Sequence, residues 1–114
     1  GRAGFGMKAV LLAAVVVAAP ALAQETRFVT THYACDRGVT IPATYVNAAD
    51  LSLAVIHVEG AQITLVNEPA ASGARYGWPS DGASYVWWTK GPEATLYWKE
   101  GGEERPLISC TEWQ

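Results

Sequence analysis

Residues 51–66 read LSLAVIHVEGAQITLV, which is two apolar, β-branched runs separated only by Glu59-Gly60. A short break that contains glycine between such runs is typical of a tight β-hairpin turn, because glycine adopts a left-handed backbone without steric penalty. We therefore predict two central antiparallel strands, Leu51 to Glu59 and Ala61 to Val66, joined at this turn.

Apolar residues alternate with polar ones on both sides of this hairpin, and no apolar stripe at helical spacing is long enough for a helix. Pro42 lacks a backbone donor, so we expect it at an edge or a bulge. Seven or eight strands in a meander predict an all-β fold, a small closed antiparallel barrel. The further predicted strands are Phe28 to Cys35, Val39 to Tyr45, Ala74 to Trp78, Ala83 to Thr89, Ala94 to Lys99 and Arg105 to Cys110.

The first residues have the pattern of a secretory signal peptide. Lys8 precedes an apolar run over residues 9–19, and Ala21-Leu22-Ala23 places two small residues where a signal peptidase reads them. We predict cleavage before Gln24, so that residues 1–23 are upstream residues plus the signal peptide and residues 24–114 are one domain. The apolar run is shorter than the about 20 residues of a membrane span. Gln24 is not the cysteine of a lipoprotein, so we expect no membrane anchor.

Two cysteines, Cys35 and Cys110, stand near the two ends of the predicted domain. Export to an oxidising compartment favours one disulfide between them over two free thiols. Two cysteines do not make a structural zinc site, and His32 and His57 have no ligand-like spacing to them. We expect no metal ion and no cofactor.

The predicted domain is acidic, with six basic against eleven acidic residues and a net charge of −5. This balance argues against a nucleic-acid partner, whose phosphates require a basic surface. It favours encounter with cationic molecules, although charge alone identifies no partner.

Tryptophan and tyrosine are unusually dense between residues 76 and 98. Such rings can stack on sugars or anchor a protein interface, or they can fill a small barrel, which we favour for any single ring. Adjacent Trp87 and Trp88 must point to opposite faces of a strand, so we predict one in the core and one partly exposed. The seven rings are Tyr76, Trp78, Tyr85, Trp87, Trp88, Tyr97 and Trp98.

Catalysis by the chain itself has little support in the sequence. Ser72 with His57 or Lys90 is conceivable as a dyad, but neither a Gly-x-Ser-x-Gly nor a Ser-x-x-Lys motif surrounds it. The pair Glu103-Glu104 is most simply the solvated face of a polar turn. We predict that the protein is not an enzyme, and a hydrolase is only the third alternative.

Two motifs carry a resemblance to a known family. The first is Ala71-Ser72-Gly73-Ala74-Arg75-Tyr76, and the second is Trp87-Trp88-Thr89-Lys90-Gly91-Pro92-Glu93-Ala94. With Tyr33-x-Cys35, Tyr45-x-Asn47 and Cys110 around them, the sequence resembles the MliC/PliC family of membrane-bound or periplasmic inhibitors of c-type lysozyme. The resemblance implies an eight-stranded barrel with both motifs on loops at one rim, and an inhibitor as the function.

The same resemblance assigns roles to five residues. It implies that Ser72 and Lys90 reach the two catalytic carboxylates of the lysozyme, that Gly73 and Tyr76 set the shape of the first loop, and that Thr89 adds a polar contact. The alternatives are a solvated strand-end lysine at Lys90, and at Ser72 a loop serine that hydrogen-bonds locally.

Many family members are lipoproteins, whereas Gln24 predicts a soluble periplasmic form of this chain. The runner-up function is an envelope binding module whose exposed tryptophan and tyrosine rings stack on peptidoglycan sugars. Peptidoglycan pull-down against gel shift with lysozyme separates the two functions.

Overall fold

The computed structural model describes residues 25–80 and 82–113. Eight antiparallel strands follow one another around a closed barrel in chain order, as predicted. The predicted signal peptide, its cleavage site and the domain boundary at Gln24 lie outside the described residues. Within those residues, no helix is both long and apolar enough to cross a membrane. The strands are β1 (Arg27–Cys35), β2 (Thr40–Asn47), β3 (Ser52–Val58), β4 (Ala61–Glu68), β5 (Ala74–Gly77), β6 (Ser84–Lys90), β7 (Glu93–Glu100) and β8 (Glu103–Glu112).

The hairpin that the sequence predicts most clearly is confirmed. Val58 pairs with Ala61 across the turn, and Glu59 and Gly60 have φ angles of 53° and 78°. Two positive φ angles are characteristic of the type I′ turn that matches the twist of the flanking strands.

β4 extends two residues beyond its predicted end. Asn67 and Glu68 pair with Tyr76 and Arg75 of β5, although the apolar alternation stops at Val66. The prediction that this strand ends at Val66 was wrong, because the two polar residues that follow pair with a partner strand and an apolar pattern does not detect such pairing.

Pro42 lies where its missing donor is tolerated. It pairs with His32 of β1, but the ladder between β2 and β3 begins only at Ala43. The strand at Pro42 is therefore paired on one side, which agrees with the predicted edge position.

Trp87 fills the centre of the barrel and is 0% exposed, whereas Trp88 is partly exposed on the outer face. The Trp87 indole Nε1 donates a hydrogen bond to Tyr45 Oη at 2.8 Å, and the Tyr45 and Tyr33 hydroxyls lie 2.6 Å apart. Burial raises the pKa of Tyr45. The polar atoms of Trp87, Tyr45 and Tyr33 are thus paired with one another, which lowers the cost of burying them.

Closure of the barrel depends on a short contact between the first and last strands. β1 and β8 share three register pairs, Tyr33 with Glu112, Ala34 with Thr111 and Cys35 with Cys110. The last pair forms the predicted disulfide, which joins residues 75 apart in the sequence. A covalent bond therefore lies within the seam where the barrel closes.

Candidate functional site

The two sequence motifs meet at one end of the barrel. In an up-and-down barrel, alternate connections lie at the same end, so the loop between β4 and β5, residues 69–73, lies beside the turn between β6 and β7. The Trp88 Nε1 of β6 donates a hydrogen bond to the main-chain oxygen of Ser72 at 2.9 Å. The indole of the second motif therefore fastens the loop of the first.

Gly73 forms the closest approach between the two loops. A β-carbon at this position would lie 2.3 Å from the Thr89 main-chain oxygen and 3.3 Å from the Lys90 Cβ, and the φ angle of Gly73 is +68°. A side chain at this position would clash with the Thr89 oxygen, and it would also require a strained left-handed backbone. The glycine of the first motif is thus required for the second motif to lie against it.

Ser72 and Lys90 are both exposed on this end of the barrel. They lie beside the contact, since Ser72 precedes Gly73 in the chain and the Lys90 Cβ lies near Gly73. Within residues 25–80 and 82–113 no salt bridge involves Lys90. A hydroxyl and an ammonium group that are both exposed at one end of the barrel are suited to receive carboxyl groups from another molecule.

Thr89 and Tyr76 contribute in different ways. Thr89 is partly exposed and offers its main-chain oxygen to the Gly73 contact. Tyr76 is 7% exposed, and its ring lies in the barrel interior with its centroid 5.6 Å from that of Tyr45. The ring of Tyr76 is therefore not part of the exposed surface.

Arg75 has a role that the sequence did not reveal. Its Nε donates to Glu68 Oε1 at 2.6 Å, its Nη1 donates to Glu104 Oε1 at 2.9 Å, and its Nη2 bonds the second oxygen of Glu104. Hydrogen bonding from Arg75 lowers the pKa of the Glu104 carboxyl.

The expectation that Glu104 lies in a polar turn was wrong, although its exposure to solvent is as predicted. Glu104 lies in β8 and is bound by an arginine 29 residues earlier in the chain. The only sequence signal was an arginine inside the first motif, and its partner could not be chosen without the register of the strands.

The structure does not bring the candidate dyad of Ser72 and His57 together. His57 lies near the turn between β3 and β4, whereas Ser72 follows the other end of β4. In the described part of the chain, no group of three or more His, Cys, Asp or Glu side chains is arranged to hold a metal ion.

Most rings of the dense aromatic segment are buried or partly buried. Tyr85 packs edge-on against Trp98 with ring centroids 5.1 Å apart, and the Trp98 Nε1 donates to Glu100 Oε1 at 2.9 Å. Trp78 is the most exposed of the seven rings, at 47%. It lies between β5 and β6, at the end of the barrel opposite the two motif loops.

Comparisons with known proteins agree with the geometry. The family model described as "Membrane-bound lysozyme-inhibitor of c-type lysozyme" matches residues 33–105, a range that includes both motif loops. A "Membrane-bound lysozyme inhibitor of C-type lysozyme" from Pseudomonas aeruginosa is 42% identical over 83 residues, which cover 70% of this chain and 61% of that protein. A protein of the same description from Cupriavidus necator is 44% identical over 64 residues, 56% of this chain and 48% of that protein. The chain thus spans about half to three fifths of these relatives.

A solved structure shares the fold. It is the crystal structure of Pseudomonas aeruginosa MliC in complex with hen egg white lysozyme, with a TM-score of 0.63 and 31% sequence identity. The similarity covers 91% of this chain and all of the other one.

Proposed function

Because the chain belongs to the family of membrane-bound inhibitors of c-type lysozyme, we propose that it inhibits c-type lysozyme by inserting two loops into the active-site cleft. The loops are residues 69–73 and the turn that follows Lys90. The observation that carries this proposal is the contact of Gly73 with the Thr89 oxygen, which makes one exposed surface from two loops.

The chemistry of the two exposed side chains fits the target. Lysozyme keeps one ionised and one protonated carboxyl close together in its cleft. The Lys90 ammonium would pair with the ionised carboxylate, and the Ser72 hydroxyl would hydrogen-bond the carboxyl whose pKa is raised. Inhibition is then occlusion and charge pairing, with no covalent step and no turnover by the inhibitor.

The charge of the chain supports the encounter. The predicted domain carries a net charge of −5, which attracts a cationic enzyme over a distance set by the ionic strength. At long range the acidic domain attracts the cationic enzyme. In the cleft the signs are reversed, because the cationic Lys90 of the inhibitor pairs with an acidic group of the enzyme.

The direct test is titration of purified protein, residues 24–114, against a c-type lysozyme acting on peptidoglycan, with a lysozyme of another class as the control. We expect activity to fall to zero near one equivalent of inhibitor, and gel filtration to show a complex. Full lysozyme activity in the presence of a large excess of folded protein would exclude the proposal.

The alternative of a peptidoglycan-binding module has one observation in its favour, the exposure of Trp78 at 47% and of Trp113 at 63%. Trp78 lies on the connection after β5, whereas Trp113 follows β8, whose Glu112 N–H bonds the Pro92 oxygen. Neither ring is in the contact between Gly73 and Thr89. Retention on purified peptidoglycan, together with unchanged lysozyme activity, is the result that selects this alternative.

We also propose that the protein acts in the bacterial envelope as a soluble periplasmic protein. Ala21-Leu22-Ala23 followed by Gln24 supports cleavage without lipid attachment. Amino-terminal sequencing should begin at Gln24, and fractionation should recover the protein with the periplasmic contents. A lipid-shifted mass in the detergent-soluble membrane fraction would contradict this.

A further inference from the structure

Arg75, Glu68 and Glu104 form an ion-pair cluster on the outer wall of the barrel, outside the two motif loops' exposed surface. We propose that Arg75 is a positioning residue for inhibition, which clamps β5 so that Ser72 is presented beside Lys90. This inference rests on the proposed function, and it assigns the clamp to side chains that do not touch the lysozyme.

The strand that carries the Ser72 loop is weakly held by its main chain. β5 has four residues and shares three register pairs with each neighbour, β4 and β6. β6 and β7 share seven register pairs by comparison. A strand this short needs additional contacts if the loop attached to it is to keep one position.

Arg75 supplies contacts that reach across the sheet. Glu68 lies on the adjacent strand β4, but Glu104 lies on β8, three strands away in the other direction. Because Tyr76 points into the barrel, Arg75 lies on the outer face, and its guanidinium bonds both carboxylate oxygens of Glu104. The two-pronged bond to Glu104 fixes the plane of the guanidinium as well as its position.

The surroundings of the cluster are built to accept it. A β-carbon on Gly77 would lie 2.8 Å from Glu68 Oε1, so glycine at this position leaves the space that the carboxylate occupies. The Asn67 Nδ2 donates to the main-chain oxygen of Arg75 at 3.1 Å. Arg75 is therefore held by its main chain and by its side chain.

The clamp is linked to the loop through one residue pair. Arg75 is the register partner of Trp88, and Trp88 is the residue whose indole holds the Ser72 oxygen. Displacement of β5 at Arg75 therefore moves the Ser72 loop relative to the indole that fastens it. The indole N–H of Trp88 reports on the loop in the free protein, without any lysozyme present.

The test compares Arg75→Met with Arg105→Met. Both remove one positive charge, but Arg105 is exposed and takes part in neither salt bridge of the cluster. For Arg75→Met we expect an inhibition constant about ten- to a hundredfold weaker, the order expected when a binding group is displaced by about 1 Å. We also expect faster hydrogen exchange at the Trp88 indole, measured by NMR. Arg105→Met should change neither quantity.

The outcomes separate the clamp from the proposed function. If wild-type protein does not inhibit lysozyme, the proposed function fails, and the indole exchange still tests the clamp. If wild-type protein inhibits and folded Arg75→Met inhibits equally well, the positioning role is wrong. If inhibition falls only in proportion to the unfolded fraction seen by circular dichroism, the role is merely structural and the proposal is again overturned.

Two milder variants cover the case in which Arg75→Met does not fold. Glu104→Gln keeps the size of the side chain and removes its charge, and Arg75→Lys keeps the charge and removes the two-pronged geometry. We expect both to weaken inhibition severalfold and to accelerate exchange at the Trp88 indole. Wild-type behaviour of both variants in both measurements would overturn the proposal.

Discussion

Gly73 lies so close to the main chain of Thr89 that a β-carbon on Gly73 would stand 2.3 Å from the Thr89 oxygen. This contact is the point at which two loops, separated in sequence by strands β5 and β6, become one surface. The shape of that surface therefore depends on the absence of a side chain.

Gly73→Ala should weaken inhibition strongly, because the new methyl group must push the Ser72 loop away from Lys90. Part of the effect is backbone strain, about 1–2 kcal/mol for an ordinary residue in the left-handed region. The matched control is Gly101→Ala, since Gly101 has φ +61° and no heavy atom within 4 Å of an added β-carbon. Inhibition constants and thermal unfolding of both variants give the answer. Equal inhibition by the two variants would show that the contact does not matter.

Lys90→Ala should weaken binding to c-type lysozyme by roughly 2–5 kcal/mol, because it leaves a catalytic carboxylate desolvated and unpaired. Lys99→Ala is the control, and its inhibition constant should change by less than about 0.5 kcal/mol. Lys99 lies at the far end of β7 from the Lys90 turn, although it is only partly exposed and borders Glu104. Inhibition constants should be compared only for folded protein. Equal inhibition by the two variants would refute the two-loop mechanism.

Ser72→Ala should cost less than the lysine change. The loss of one hydrogen bond to a charged or carboxyl partner is worth about 1.5–3 kcal/mol, and water can replace part of it. The hydrogen bond from Trp88 goes to the main-chain oxygen of Ser72, so it survives the substitution and the fold should be unchanged. Ser109→Ala, at an exposed serine of β8, should inhibit like wild type. A loss in Ser72→Ala as large as that in Lys90→Ala would contradict the assigned roles.

Removal of the disulfide by the double substitution Cys35→Ala and Cys110→Ala should lower the free energy of unfolding. The bond closes a loop of 75 residues, for which the chain-entropy model gives about 4–5 kcal/mol. Urea unfolding of the oxidised wild type and the double variant measures the difference. A decrease under about 1 kcal/mol would show that the three register pairs at the seam close the barrel without covalent help.

The sequence predicted the features that depend on local pattern. The Glu59-Gly60 turn, the opposite orientations of Trp87 and Trp88, and the pairing of the only two cysteines follow from adjacent residues, alternation or count. The family resemblance added that Ser72 and Lys90 lie at one rim; in the structure Ser72 lies in the loop between β4 and β5, and Lys90 is the last residue of β6.

Interactions between distant strands were not predictable in the same way. The bond from Arg75 to Glu104 and the bond from Trp87 to Tyr45 join residues 29 and 42 apart. Each requires the order and register of several strands before the two partners can be chosen. The contact between Gly73 and Thr89 also depends on the left-handed backbone of Gly73, which no residue pattern specifies.

The seam between β1 and β8 has a consequence for the order in which the molecule can be completed. β1 and β8 lie at opposite ends of the barrel sequence, so neither the three register pairs nor the disulfide can form until the final strand is available. Until then β1 and β7 each present an unpaired edge, which is the arrangement most prone to pair with a second chain. Docking of residues 103–112 therefore converts an aggregation-prone open sheet into a closed one, and truncation within β8 should leave both edges unpaired even though the strand stands near the end of the domain.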